Sequence, residues 1–106
     1  MGANDNLIRL DLNNPVFQEN LFGLQKPERN AAIETLRKIR QMRWNQLYRD
    51  NALKWEKISI VKPPPRIHAI YSSRITQSRR CTAHRDGDHM RLLTVSPDHD
   101  STYGRK

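Results

Sequence analysis

The chain has 106 residues, 36% of them hydrophobic, which limits it to one domain with a single modest core. Its formal net charge of +8 is concentrated in residues 35–80, where twelve Lys/Arg stand against two Asp/Glu, and such a concentration favours a polyanionic partner, most commonly nucleic acid. The chain has no long apolar run, its N-terminal MGANDN is polar and its one cysteine, Cys81, cannot pair internally, so we expect a cytoplasmic protein without a membrane span, a secretion signal or a disulfide.

The N-terminal part of the chain predicts a short strand followed by a short helix. Residues 6–12 (NLIRLDL) alternate apolar and polar side chains, which is typical of an edge strand. Asn14 and Pro15 then combine an N-cap residue with a proline at the first helical position, and Gly23 is a suitable terminator. The apolar stripe of this helix consists of Phe17, Leu21 and Leu24. Residues 1–6 are expected to be flexible.

A second, longer helix is predicted to begin at Pro27. Its apolar stripe consists of Ala32, Ile33, Leu36 and Ile39. Continuing the same period would bring Arg40 and Arg43 into the stripe, so we expect the helix to break near Met42. Residues 44–48 then form a separate turn; the alternative is that the two arginines emerge at the sheet margin. The two helices would form a hairpin.

The second half of the chain predicts a connection followed by a three-stranded antiparallel meander. Residues 51–65 are expected to be partly extended, to lie along the helices, and to be stiffened by three consecutive prolines. Asp86 and Gly87 are a hairpin signal, because both turn positions need a positive φ angle. Period-two alternation predicts the three strands at residues 66–75, 79–85 and 89–95.

The predicted strands have two different faces. One face is apolar and is expected to pack beneath the helices; it carries Ile67, Ala69, Tyr71, Ile75, Cys81, Ala83, Met90 and Leu92. The opposite face is rich in arginine and histidine, and its members are Arg66, His68, Ser72, Arg74, Arg80, Thr82, His84, Arg91 and Leu93. A strand, a helical hairpin and a meander in this order indicate an α+β fold with helices on one face of the sheet.

Several local patterns occur together along the chain: LIRLDL, NPVFQENLFGL, TLRKIR, ALKWEKI, YSSRIT, SRRCTAH and RLLTVSPDHD, with a tyrosine soon after. In this order the chain resembles the RelE/ParE superfamily, the toxins of bacterial type II toxin–antitoxin modules. The resemblance covers nearly the whole chain and implies a single toxin domain over residues 1–106, with 104–106 as a tail. It also implies a small RelE/ParE-like fold, in which an antiparallel sheet of a short N-terminal strand plus the meander is covered on one face by the helical hairpin.

The resemblance implies two functional branches and one protein partner. Members similar to RelE cleave mRNA in the ribosomal decoding site, whereas members similar to ParE poison DNA gyrase without such a nuclease site. A third alternative, from another class, is a non-toxic basic nucleic-acid-binding module. We expect an mRNA-cleaving endoribonuclease that inhibits translation, acting on mRNA either free or on the ribosome. The implied partner is a cognate antitoxin, an acidic and partly disordered protein that orders on binding. No cofactor is expected.

RNA cleavage without a metal needs a base for the 2′-hydroxyl, cations for the developing phosphorane charge and an acid for the leaving 5′-oxygen. Arg74 and Arg80 lie on adjacent predicted strands and can grip a phosphate from the same side, although a solvated sheet face would carry the same residues. By the resemblance, Arg80 corresponds to the strand-opening arginine of the family. Glu56 is either a catalytic base or a salt-bridge partner for a neighbouring arginine.

The C-terminal DHD run supplies the acid/base candidate. It is His99, because histidine is the side chain whose unperturbed pKa lies near neutrality, and Asp98 or Asp100 could orient it, although the same run is also typical of a turn. Tyr103 could stack on a base or donate a proton. A metal site is not expected, because no spacing makes the histidines and aspartates converge. Further residues expected to bind RNA are Lys54, Lys57, Arg66, Arg79 and Arg91.

Overall fold

The computed structural model describes residues 5–58, 65 and 67–96. Within them the elements are β1 (Arg9–Asp11), α1 (Pro15–Phe22), α2 (Lys26–Ile39), α3 (Trp44–Arg49), β2 (Glu56–Lys57), β3 (Tyr71–Arg74), β4 (Arg80–Asp86) and β5 (His89–Val95). The strands form one sheet in the order β1-β5-β4-β3-β2. The described part of the chain is therefore a small α+β structure, with three helices and a five-stranded sheet.

Local capping chemistry determines where the first two helices begin. The Asn14 side chain accepts hydrogen bonds from the backbone N–H groups of Val16 and Phe17, and α1 ends at the predicted Gly23. The second helix has its proline in the first turn and basic residues in the last turn, both of which favour a helix at those ends. Both predicted helices are confirmed.

The predicted break after the second helix is also confirmed. Helix α2 ends at Ile39, and α3 begins at Trp44. The N-terminal segment lies against the break: Ile8 N–H donates to the Met42 carbonyl, and Trp44 N–H donates to the Asn6 carbonyl. These hydrogen bonds satisfy backbone groups that the break in the helix would otherwise leave unpaired. The next helix, α3, begins with Trp44, which is fully buried in the core.

Three predictions about the sheet are wrong. Strand β1 pairs with β5 in parallel, so the sheet is mixed instead of antiparallel. The connection does not simply run along the helices, because its residues 56–57 form β2 and pair with β3. Strand β3 itself covers only residues 71–74, since the described residues before Tyr71 are not in a strand.

The strand geometry departs from strict alternation at two places. The β4–β5 turn consists of Gly87 and Asp88 instead of Asp86 and Gly87, with a positive φ angle only at the glycine, as in a type II′ turn. A β-bulge follows Thr82, because this residue pairs with Thr94 while the next one pairs with Leu92. Leu93 is therefore the extra residue of the bulge and has no direct cross-strand partner on the polar face.

The helices bury one face of the sheet, as predicted. Helices and sheet share one core cluster, which contains Phe17, Leu21, Leu36, Ile39, Trp44, Leu47, Cys81, Ala83, Met90 and Leu92. Complete burial raises the pKa of the Cys81 thiol to about 12, so this cysteine is a packing residue and not a reactive thiolate. None of the helices in the described residues has the length and apolar character that crossing a membrane requires.

The burial of α2 gives a direct test of this packing. Leu36→Ala should lower the free energy of unfolding by about 2–5 kcal/mol, because it removes buried methyl groups and leaves a cavity. Ile33 belongs to the predicted stripe but is 44% exposed, so Ile33→Ala on the same helix should stay within about 0.5 kcal/mol of the parent. Urea denaturation of both variants measures the difference. Equal losses would contradict the observed orientation of the helix.

Candidate nucleic-acid interface

The strand register brings two candidate arginines together. Arg74 on β3 is the direct cross-strand partner of Arg80 on β4, and directly paired residues share a face of the sheet. The next row on this face runs from Glu56 through Ser72 and Thr82 to Thr94. This face is opposite the buried row of Ser73 and Cys81, so it points away from the helices.

Arg80 is largely buried, whereas an arginine that binds a phosphate on an open face would be exposed. Only 9% of the residue is accessible to solvent. One guanidinium nitrogen, Nη2, donates to the Lys54 carbonyl at 3.1 Å and to the Ser72 hydroxyl at 2.9 Å. Arg80 therefore fastens the segment before β2 to the centre of the sheet and presents only a small part of its guanidinium to solvent.

Lys54 and Glu56 lie at the same edge and are held there by a tight turn. The Asp50 carboxylate accepts hydrogen bonds from the backbone N–H groups of Ala52 and Leu53, and Lys54 has a positive φ angle of 48°. The Lys54 ammonium lies 4.0 Å from the Glu56 carboxylate, and both side chains are about half exposed. The Lys54 ammonium and the Glu56 carboxylate are therefore both accessible to solvent, and they lie next to the Arg74–Arg80 pair.

Arg79 lies beside this group but is paired with a helix. Its Nε is 2.8 Å from Oε1 of Glu28 on α2, and the other carboxylate oxygen accepts from the Thr76 and Ser78 hydroxyls at 2.9 Å each. The close ion pair with Arg79 is the main cause that holds the pKa of the Glu28 carboxyl below its usual range, with smaller contributions from the two hydroxyls. This pairing joins the β3–β4 loop to α2.

Arg91 is likewise paired with acidic residues, at the opposite end of the sheet. It forms ion pairs with Asp11 on β1 and Asp86 on β4. The pKa of the Asp11 carboxyl is lowered, first by the backbone N–H of Asn13 and then by Arg91. The pKa of Arg91 is raised, chiefly by its hydrogen bond to Asp11. Two carboxylates therefore neutralise the cation that was expected to bind RNA.

The remaining predicted site residues are divided between the described and the undescribed parts of the chain. Lys57 is exposed on β2. Arg66, His99 and Tyr103, together with the neighbouring Asp98 and Asp100, lie outside the described residues. The described chain ends at Ser96, whose backbone N–H donates to the Arg80 carbonyl at 2.7 Å. Among residues 5–58, 65 and 67–96, no group of three His, Cys, Asp or Glu side chains could hold a metal ion.

A second site, which the sequence did not predict, lies at the other end of β4. A cavity of about 350 Å³ is lined, among the described residues, by Tyr48, His68, Ala69, Tyr71, Arg85 and Gly87. Its parts come from α3, the segment before β3 and the β4–β5 hairpin, which are distant in sequence. The only local sequence signal for this site was Arg85, which stands two residues before the hairpin glycine. The predicted alternation of apolar and polar side chains gave it no particular role.

No protein-family model matches the chain, and neither a curated protein nor a solved structure is significantly similar to it.

The ion pair between Arg79 and Glu28 predicts an acid-dependent loss of stability. Because the pKa of Glu28 is lower in the folded chain than in the unfolded chain, the unfolded chain binds more protons between these two values. The free energy of unfolding should therefore fall as the pH drops below about 4.5, the ordinary pKa of the carboxyl. Glu28→Gln should weaken this dependence, as measured by urea denaturation at neutral and acidic pH. An identical pH profile for both proteins would contradict the pairing.

The environment of Arg80 predicts that its truncation damages the fold. Arg80→Ala leaves the Lys54 carbonyl and the Ser72 hydroxyl without their donor and should lower the free energy of unfolding by about 1–3 kcal/mol. The exposed partner Arg74 is the matched control, and Arg74→Ala should change stability by less than about 0.5 kcal/mol. Thermal and urea unfolding measure both. An unaffected Arg80→Ala variant would show that the two hydrogen bonds contribute nothing.

Proposed function

We propose that this protein is the toxin of a type II toxin–antitoxin module and that it cleaves mRNA as a metal-independent endoribonuclease. The observation that carries the proposal is the Arg74–Arg80 cross-strand pair beside the solvent-exposed Lys54–Glu56 pair. Together these residues supply a carboxylate and several cations on one polar face of the sheet. They are the base and the cations that cleavage of an RNA phosphodiester requires, and the acid comes from elsewhere in the proposed site.

In the proposed reaction the 2′-oxygen of the substrate attacks the neighbouring phosphorus. The Glu56 carboxylate accepts the proton of the 2′-hydroxyl, while Arg74 and Lys54 stabilise the negative charge that develops on the phosphorane oxygens. The bond from phosphorus to the 5′-oxygen then breaks, and His99 donates the proton that this oxygen needs. The products are a 2′,3′-cyclic phosphate and a 5′-hydroxyl. Tyr103 and Arg66 complete the proposed site by contacting the RNA.

Arg80 has a positioning role in this proposal. Its hydrogen bonds to Lys54 and Ser72 hold the edge that carries Glu56, and its remaining solvent-exposed part adds positive potential near the scissile phosphate. The contribution of Arg79 and Arg91 to RNA binding is small, because carboxylates neutralise both cations. Phosphate binding thus depends mainly on Lys54, Lys57 and Arg74.

The charge distribution supports mRNA as a partner, whereas the antitoxin is implied by the resemblance to the RelE/ParE toxins. Residues 35–80 carry twelve Lys/Arg and two Asp/Glu, so mRNA, free or on the ribosome, is attracted to this part of the chain. An acidic antitoxin that covers the same surface would block the RNA by competition and would order as it binds. The proposed setting is the cytoplasm, where mRNA is translated.

The burial of Arg80 favours a second candidate, a non-enzymatic gyrase-poisoning toxin. An arginine that is almost buried and bonded to protein atoms has limited access to a substrate phosphate, so a face like this one could bind a protein target instead. This candidate predicts growth arrest with a DNA damage response and intact mRNA. A non-toxic nucleic-acid-binding module predicts no arrest.

The test is induced expression of the chain in bacteria with mapping of mRNA 5′ ends. The wild-type protein should arrest growth and create new 5′ ends, and Glu56→Gln, Arg74→Ala and His99→Ala should each reduce them, by about 10²–10⁴-fold for the acid/base residues. The controls are Glu34→Gln and Arg37→Ala, which remove an exposed ion pair on α2 and should leave cleavage unchanged. Growth arrest with intact mRNA would contradict the nuclease and favour the gyrase-type toxin.

A further inference from the structure

The guanidinium of Arg85 is held as a rigid plane at one wall of the 350 Å³ cavity. Its central carbon lies 4.1 Å from the ring centroid of Trp44, which is a cation–π contact with a fully buried indole. Nε donates to the Gly87 carbonyl at 2.8 Å, and Nη1 donates to the Tyr48 hydroxyl at 3.1 Å. These three contacts fix the orientation of the plane, so little conformational entropy would be lost when a ligand stacks on it.

A second planar wall is supported in the same way. The ring of Tyr71 stacks on Trp55 with a centroid distance of 4.7 Å and an interplanar angle of 7°. Trp55 in turn meets Trp44 edge to face at 5.8 Å. The two tryptophans therefore connect the Arg85 guanidinium to the Tyr71 ring by a continuous series of contacts. Tyr71 is half-buried and lines the cavity, whereas Tyr48 is 48% exposed at its mouth.

The chemistry of the cavity suits a flat, polar, aromatic ligand. Ring faces, an arginine plane, an imidazole from His68 and a phenol converge on one space. Its volume is at the small end of the range of about 300–1,000 Å³ that is typical of small-molecule sites, so one nucleotide unit fits better than a folded polymer segment. Unpaired bases are recognised by stacking on tyrosine, histidine and arginine planes.

We propose that this cavity binds one unpaired base of single-stranded RNA, a choice of ligand that rests on the proposed function. Arg85 follows Arg80 by five residues along β4, which corresponds to about 17 Å of strand. Its cross-strand partner is the buried Met90, so it lies on the helix side of the sheet. The cavity is thus separate from the Arg74–Arg80 face, and it anchors RNA outside the reacting bond.

The two tryptophans of the chain make the proposal measurable, because both lie directly beneath the cavity walls. An eight-nucleotide single-stranded RNA of mixed sequence is titrated into the full-length Glu56→Gln protein while tryptophan fluorescence is recorded. The RNA should quench the fluorescence, and an abasic ribose-phosphate strand of the same length should bind without quenching. Equal responses to the two strands would overturn the proposal.

Substitutions at the mouth of the cavity locate the base. Tyr48→Ala should weaken binding of the base-bearing strand about tenfold, in line with the loss of one stacking contact, while Tyr48→Phe keeps the ring and should stay within about threefold. Phe22→Ala removes an exposed ring on α1 and should leave binding unchanged. His68→Ala, at an exposed position, is a second variant that spares the core and should also weaken binding. Equal affinity of Tyr48→Ala, His68→Ala and Phe22→Ala would overturn the proposal.

The outcome is independent of catalysis. If the wild-type protein cleaves no RNA while Tyr48→Ala weakens the binding that quenches the Glu56→Gln protein, the result would support the cavity and contradict the nuclease. Cleavage by the wild-type protein, together with tryptophan fluorescence that does not respond to the base-bearing strand, would support the nuclease and contradict the cavity. An acidic peptide that quenches the tryptophans while the RNA does not would overturn the choice of ligand.

Discussion

One-sided burial of the sheet is the constraint on which the rest of the structure depends. Cys81, Ala83 and Met90 are completely covered, and residues that alternate with them must face away from the helices. The register that buries these side chains is also the register that sets Arg74 opposite Arg80. Core packing therefore determines the composition of the polar face, and a slip of one residue would exchange the two faces.

Arg80 connects this packing to the chemistry of the polar face. Its guanidinium joins β4 to the segment before β2 and to Ser72, so the position of Lys54 depends on it. Arg79 forms an ion pair with a carboxylate of α2, and Arg91 forms ion pairs with carboxylates of β1 and β4. The cations of the proposed site that the structure leaves exposed, Lys54, Lys57 and Arg74, lie on β3 or at the β2 edge of the sheet. In the proposed function, Arg80 contributes to the fold as well as to the site, whereas the exposed Arg74 contributes to the site alone.

The sequence predicted well those features that depend on neighbouring residues. The caps of α1, the break before Trp44 and the last strand, His89–Val95, all follow from local chemistry or periodicity. Contacts between distant residues were not predictable: the parallel pairing of β1 with β5, the bulge beside Thr82 and the cavity around Arg85 all join separate segments. At the site, the sequence identified Arg74 and Arg80 as neighbours but not the burial of Arg80.

The proposed cleavage of RNA, by attack of the substrate's own 2′-hydroxyl, can be tested on the purified protein. The purified full-length protein is incubated with a defined RNA, free in the presence of EDTA and on programmed ribosomes in a buffer that contains Mg²⁺, and the chemical ends of the products are identified. We expect fragments that carry a 2′,3′-cyclic phosphate and a 5′-hydroxyl. RNA that stays intact in both settings, cleavage that leaves a 5′-phosphate, or cleavage of the free RNA that stops with EDTA would contradict the proposed reaction.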